Sequence, residues 1–250
     1  MITEFPLLVF TVLTGIAAGA YVGAALFPKK DADARPWLFP LIALILVAIG
    51  GLAAMGHLGR PGNVLNVLNN PASSLTQEGL SAGVLAIVAI VDMIIGFTQK
   101  KANRAVRIIG GVVGIVCMCI VTMAYTTSYG NAAWIAAPTW PLFVLGDLAA
   151  GLALWLTFAD EPSKTLAAIV AVVSLLFAIV LVWQAVTFAG LGAAGVGCIV
   201  AGAVFAVAGA VGAYITSSMK LWSTAGKIVF VLLAIALFLS RFGFYMASII

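Results

Sequence analysis

Eight apolar stretches, each long enough to cross a bilayer, follow one another along this chain of 250 residues and leave little material for a soluble fold. A hydrocarbon core needs about 20 apolar residues per helix. Runs bounded by charges or by Pro, Gly and Asn breaks fall at 6–27, 37–56, 80–97, 106–127, 140–158, 164–187, 195–216 and 226–248. The least marked boundary separates the sixth from the seventh, where AGLGAAGVG carries no charge. The expected fold is an all-α integral membrane protein, a single domain over residues 1–250 built as a bundle of eight transmembrane helices.

Composition removes the alternatives. Apolar residues make up 64% of the sequence and charged residues 8%, and the mean hydropathy is +1.22. A soluble domain carries roughly a quarter charged residues. The start, MITEFPLLVF, has no basic segment and includes Glu4, so a retained span is expected there rather than a signal peptide. The net charge of +4 does not point to nucleic acid, because the cations sit in short loops where the positive-inside rule accounts for them.

Those loop cations set an orientation. Lys29, Lys30 and Arg35 follow the first span, Lys100, Lys101, Arg104 and Arg107 the third, Lys164 the fifth, and Lys220 and Lys227 the seventh. The opposite side has Arg60, while Arg241 lies inside the last span. Odd-numbered loops are therefore expected in the cytoplasm and both termini outside. Trp134, Trp140, Tyr125 and Tyr129 cluster where the outer interface should lie, as in an aromatic belt. Gly15, Gly19 and Gly23, with Gly110 and Gly114, form GxxxG patterns that read as helix-packing faces.

One connection departs from this apolar background. GHLGRPGNVLNVLNNPASSLTQEGL, residues 56–80, joins the second and third spans on the outer side and holds the single histidine, an arginine, a glutamate and four asparagines. Pro61 suits a helix start, and Val64, Leu65, Val67 and Leu68 fall opposite Asn63, Asn66 and Asn69, as in a short interfacial helix. That helix reads either as a lid over a pocket or as a plain connection. Ser74 and Gln77 have capping-box spacing, so the third span should begin near Leu75 with Glu78 in its first turn.

His57 and Glu78 each have two readings. One is structural: a hydrogen-bonded histidine at a helix end, and an acid placed by the helix dipole. The other sets both in one outer-leaflet pocket, where an imidazole titrating near neutral pH and a buried carboxylate would accept the hydroxyl protons of a quinol. Arg60 would anchor a carbonyl or meet lipid headgroups. Within the spans, Asp147 and Arg241 are expected to pair near the same pocket, because unpaired charges are expensive at that depth. Asp92 has no evident partner, and Gln184 is expected to bond between helices. No C-x-x-C motif and no second histidine are present, so the sequence encodes neither an iron–sulfur ligand set nor a bis-histidine haem. Cys117, Cys119 and Cys198 read as small core residues.

These residues carry a resemblance. His57-Leu58-Gly59, Pro61, Asn66-x-Leu68-Asn69, Ser74-Leu75 and Glu78 look like the signature of the membrane-anchor subunits of dimethyl sulfoxide reductase, as do Glu4-Phe5-Pro6-Leu7 and Phe10-Thr11-Val12. Tyr129, Trp134 and Pro138 give a fainter echo; beyond residue 140 only hydropathy matches. The resemblance implies a haem-free anchor in the bacterial inner membrane that oxidises a quinol, commonly menaquinol, with the residues matching His57 and Glu78 in the quinol site. It implies partners: a four-cluster iron–sulfur subunit and a molybdopterin catalytic subunit that reduces an S- or N-oxide in anaerobic respiration. Many relatives have arginine where Thr127 stands here, which bears on how the quinone head is held. Two other classes compete. A proton-coupled transporter would use His57, Glu78, Asp92, Asp147 and Arg241 as a relay, although no inverted repeat is evident. A tether would hold partners without any quinol site.

Overall fold

Inside a bilayer the backbone has no water to bond to, so each apolar run must close its own hydrogen bonds, and a helix does this within one segment. A computed structural model describes residues 4–28, 35–56, 58, 61–158, 164–216 and 222–248. The helices are α1 Phe5–Leu26, α2 Leu38–Met55, α3 Ser74–Gln99, α4 Arg104–Thr126, α5 Thr139–Thr157, α6 Lys164–Gly190, α7 Val196–Thr216 and α8 Trp222–Met246. All eight are long and apolar enough to span a membrane. A short 3-10 helix, Pro61–Asn69, lies between α2 and α3. The chargeless sixth boundary is a true turn: Gly192 and Gly195 adopt φ of 66° and 93°, which side chains other than glycine rarely accept.

The helices form two closed circuits. Helices α1 to α4 pack in a ring, each on the next and α4 back on α1; α5 to α8 do the same. The circuits join where α1 meets α5 and α8, and where α4 meets α5. Helix α1 is consequently the interior post: 83% of its spanning stretch is buried, against 28% for α2. Glycines permit this approach. A Cβ on Gly19 would overlap the carbonyl of Asp147, and one on Gly114 would come within 2.6 Å of the Ala18 carbonyl oxygen. The GxxxG patterns are packing faces between α1 and its two neighbours.

Four side-chain expectations need correction. Asp92 is not alone: Arg107 Nε lies 3.3 Å from its Oδ2, and Arg107 Nη2 donates to the Pro36 carbonyl at 3.2 Å. Arg107 is thus a buried helical residue, flanked by the rings of Phe39 and Trp155, and not a loop cation. The loop asymmetry survives its removal. Gln184 is wholly buried, yet neither its Nε2 nor its Oε1 finds a hydrogen bond among the described residues. Tyr125 is no belt residue; it is buried against Phe143, Phe244, Trp134 and Tyr245, whereas Tyr129 is 81% exposed. The capping box does not form: Ser73 occupies the cap position without a side-chain bond, and Gln77 Nε2 instead donates to the Pro71 carbonyl at 3.4 Å.

Candidate functional site

Odd-numbered helices begin, and even-numbered helices end, at the face that carries both termini. At this face a cleft of about 540 Å³ lies between α2, α3 and the start of α1. That volume suits a small organic ligand, for which pockets of about 300–1,000 Å³ are usual. Leu7 and Phe10 form its back wall, and Leu58 and Val64 lie at its mouth. Glu78 is the one ionisable side chain lining it among the described residues.

The position of Glu78 follows from helix periodicity. Glu78, Ala82, Leu85 and Ala89 recur on the inward face of α3, so the acid is carried into the bundle with the small apolar residues beneath it. It is only 5% exposed, and its Oε2 has no hydrogen-bond partner among the described residues. Ser81, one turn below, donates to the Glu78 carbonyl at 3.0 Å and lies 3.5 Å from Cys117 Sγ, so the hydroxyl serves the backbone and α4. A buried oxygen without a partner is costly, by about 1–3 kcal/mol.

The other expected site residues divide into two groups. His57 and Arg60 lie outside the described residues, as do Lys29, Lys30 and Lys220; Leu58, next to His57 in sequence, lines the cleft. Asp147 and Arg241 do pair: Arg241 Nη2 is 2.8 Å from Asp147 Oδ1 and 3.2 Å from the Phe143 carbonyl oxygen. The guanidinium also lies 3.2 Å from the centroid of the Phe143 ring. Neither residue of the pair lines the cleft. A proton or ion relay needs acids free to exchange, and both Asp92 and Asp147 are held by arginines.

The short 3-10 helix shows Leu65 and Leu68 exposed at 74% and 54%, with Asn66 and Asn69 exposed as well. Its winding is tighter than the α-helical spacing of the sequence suggests. The Arg107–Asp92 pair was missed because Arg107 stands close behind a basic loop. The signal that could have revealed it is the hairpin itself: α3 and α4 run antiparallel around Lys100–Asn103, which brings the end of one against the start of the other. No cluster of three or more metal-ligating side chains occurs among the described residues.

Among the described residues, eight helices able to span a membrane, with a single-carboxylate cleft at the terminal face, define a polytopic membrane protein. The model of the family described as DMSO reductase anchor subunit (DmsC) matches residues 1–242, and the protein belongs to that family. Over 145 residues it is 28% identical to the C subunit of the anaerobic dimethyl sulfoxide reductase of Haemophilus influenzae, covering 55% of this sequence and 50% of that protein. Over 143 residues it is 29% identical to the protein of the same description from Escherichia coli, covering 55% and 49%. These matches span about half the length of either relative.

Proposed function

We propose that this protein is the quinol-oxidising membrane anchor of a molybdenum oxidoreductase complex of the dimethyl sulfoxide reductase type. The observation that carries the reading is Glu78: a buried carboxylate with one oxygen unpartnered among the described residues, on a side chain that lines an apolar cleft at one end of the bundle. A hydroquinone is a lipid-soluble donor whose oxidation releases two protons and two electrons. Its head needs a hydrogen-bond acceptor inside apolar walls, which is what the cleft presents. Glu78 takes a hydroxyl proton, and His57 on the adjoining connection takes the other; both protons leave to the outer water. The two electrons pass to an iron–sulfur subunit docked at this face, and from there to a molybdopterin subunit that reduces an S- or N-oxide. Menaquinol is the donor the family resemblance favours. The loop charges orient the cleft and both termini to the periplasmic side of the bacterial inner membrane. In this arrangement the 57–79 segment, with its 3-10 helix, covers the cleft mouth.

The test is quinol oxidation by the assembled complex in membranes. Glu78→Gln and His57→Ala are each expected to slow electron flow from quinol about a hundredfold while leaving the reductase active with an artificial donor that bypasses the anchor. Normal quinol turnover in both variants would reduce this protein to a tether. An iron–sulfur subunit that cross-links to the Lys100–Arg104 face would overturn the side assignment.

A further inference from the structure

Below Glu78 the cleft continues as a groove whose walls are made small. On α3, Gly79, Ala82, Gly83 and Ala86 recur at the spacing of one helix face; on α2, Ala48 and Gly51 lie opposite. From Glu78 to Ala86 the groove descends about 12 Å along the helix axis toward the bilayer middle. Its flank is open: Leu52 is 68% exposed, and Gly79 and Gly83 are exposed too. A Cβ added at Gly51, Gly79 or Gly83 would meet no atom within 4 Å, so helix packing does not require glycine there. The glycines between α1 and its neighbours are the opposite case, because helices fill the space beside them.

We propose that this groove holds the prenyl tail of the quinol, and that Gly83, Gly79 and Ala86 set which tails the site accepts. The inference rests on the quinol reading and extends it. The tail belongs in the groove because no polar side chain lines it below Glu78 among the described residues; a quinone head there would have its oxygens unbonded. Glu78, the one ionisable side chain lining the cleft among the described residues, fixes the head at the top, so the remainder of an amphipathic donor must run downward. The open flank lets the tail remain partly in lipid while the head is engaged. Gly83 and its neighbours contact no reacting atom and determine specificity alone.

The experiment compares two donors in membranes carrying the complex: a long-chain prenyl quinol and a hydroquinone with the same head and no tail. Gly83→Leu and Ala86→Phe are expected to raise KM for the prenyl quinol about tenfold or more, while the tailless donor is oxidised as in the unaltered protein. Gly197→Leu, at another glycine with open space but on α7 away from the cleft, should alter neither donor. Equal loss with both donors in Gly83→Leu would overturn the assignment, since the groove would then serve the head. No change with either would also overturn it, since the groove would then be a seat for a phospholipid tail. Glu78→Gln, measured alongside, separates the two levels. Retained turnover of both donors in that variant and in His57→Ala sinks the quinol reading itself; their loss, with no discrimination in Gly83→Leu, sinks only the tail.

Discussion

Glu78 and Asp147 are acids buried at the same end of the bundle, about 6 Å and 12 Å into their helices, and the bundle treats them in opposite ways. Asp147 is 2% exposed and receives Arg241 Nη2 at 2.8 Å, with the Phe143 ring against the guanidinium and α1 packed over the top. Its charge is neutralised by a partner that is itself buried. Glu78 is scarcely more exposed, yet its Oε2 has no such partner among the described residues, and its side chain lines the cleft. Depth alone does not reveal what a membrane carboxylate is for. A partner that fills the space marks a structural acid; an acid without one beside an open cleft is what the proposed quinol site requires.

Breaking the paired side should have the larger effect. Arg241→Ala leaves Asp147 buried and unmatched, and about 3–5 kcal/mol of stability should be lost, seen as a lower unfolding midpoint in detergent and depleted anchor in membranes. Replacing the pair together, Asp147→Leu with Arg241→Met, should restore most of that loss. Glu78→Gln should do the reverse: no fall in the unfolding midpoint, but quinol oxidation about a hundredfold slower, within the range general-base catalysis supplies. Were Glu78→Gln to destabilise as Arg241→Ala does, the contrast would fail. Asp92→Asn, at the far end of the bundle, should cost about 1.5–3 kcal/mol without slowing turnover in the protein that still assembles, because Arg107 keeps its bond to the Pro36 carbonyl. Ser81→Ala should be smallest, at about 1 kcal/mol or less with turnover unchanged, since that hydroxyl bonds backbone and sulfur and not the carboxylate.

Much of the fold was legible beforehand because hydrocarbon imposes a length rule on every span. The first helix, read at 6–27, is Phe5–Leu26, and the fifth, read at 140–158, is Thr139–Thr157. The third, read as apolar over 80–97 with a helix start near Leu75, is Ser74–Gln99, so Glu78 is in its opening turns as expected and Gln99 extends the other end. The Asp147–Arg241 pair could be anticipated because two charges at one depth have few other fates. Asp92 and Arg107 could not, because an arginine one turn past a basic loop looks solvated until the hairpin closes. Gln184 shows the converse limit. Its polarity suggested a bond across helices, and the described neighbours that folding brings offer none. The cleft was unreadable as a volume, because it depends on how α2, α3 and the start of α1 pack at one end.

The central placement of α1 bears on how the protein must be made. Helix α1 is synthesised before the partners it ends up touching, α2, α4, α5 and α8, so its glycine-lined flank faces lipid until segments more than a hundred residues downstream have been inserted. A nascent subunit stalled after α4 presents that flank unsatisfied. It offers quality-control proteases and membrane chaperones a recognisable seam, which disappears only when the second circuit closes around it.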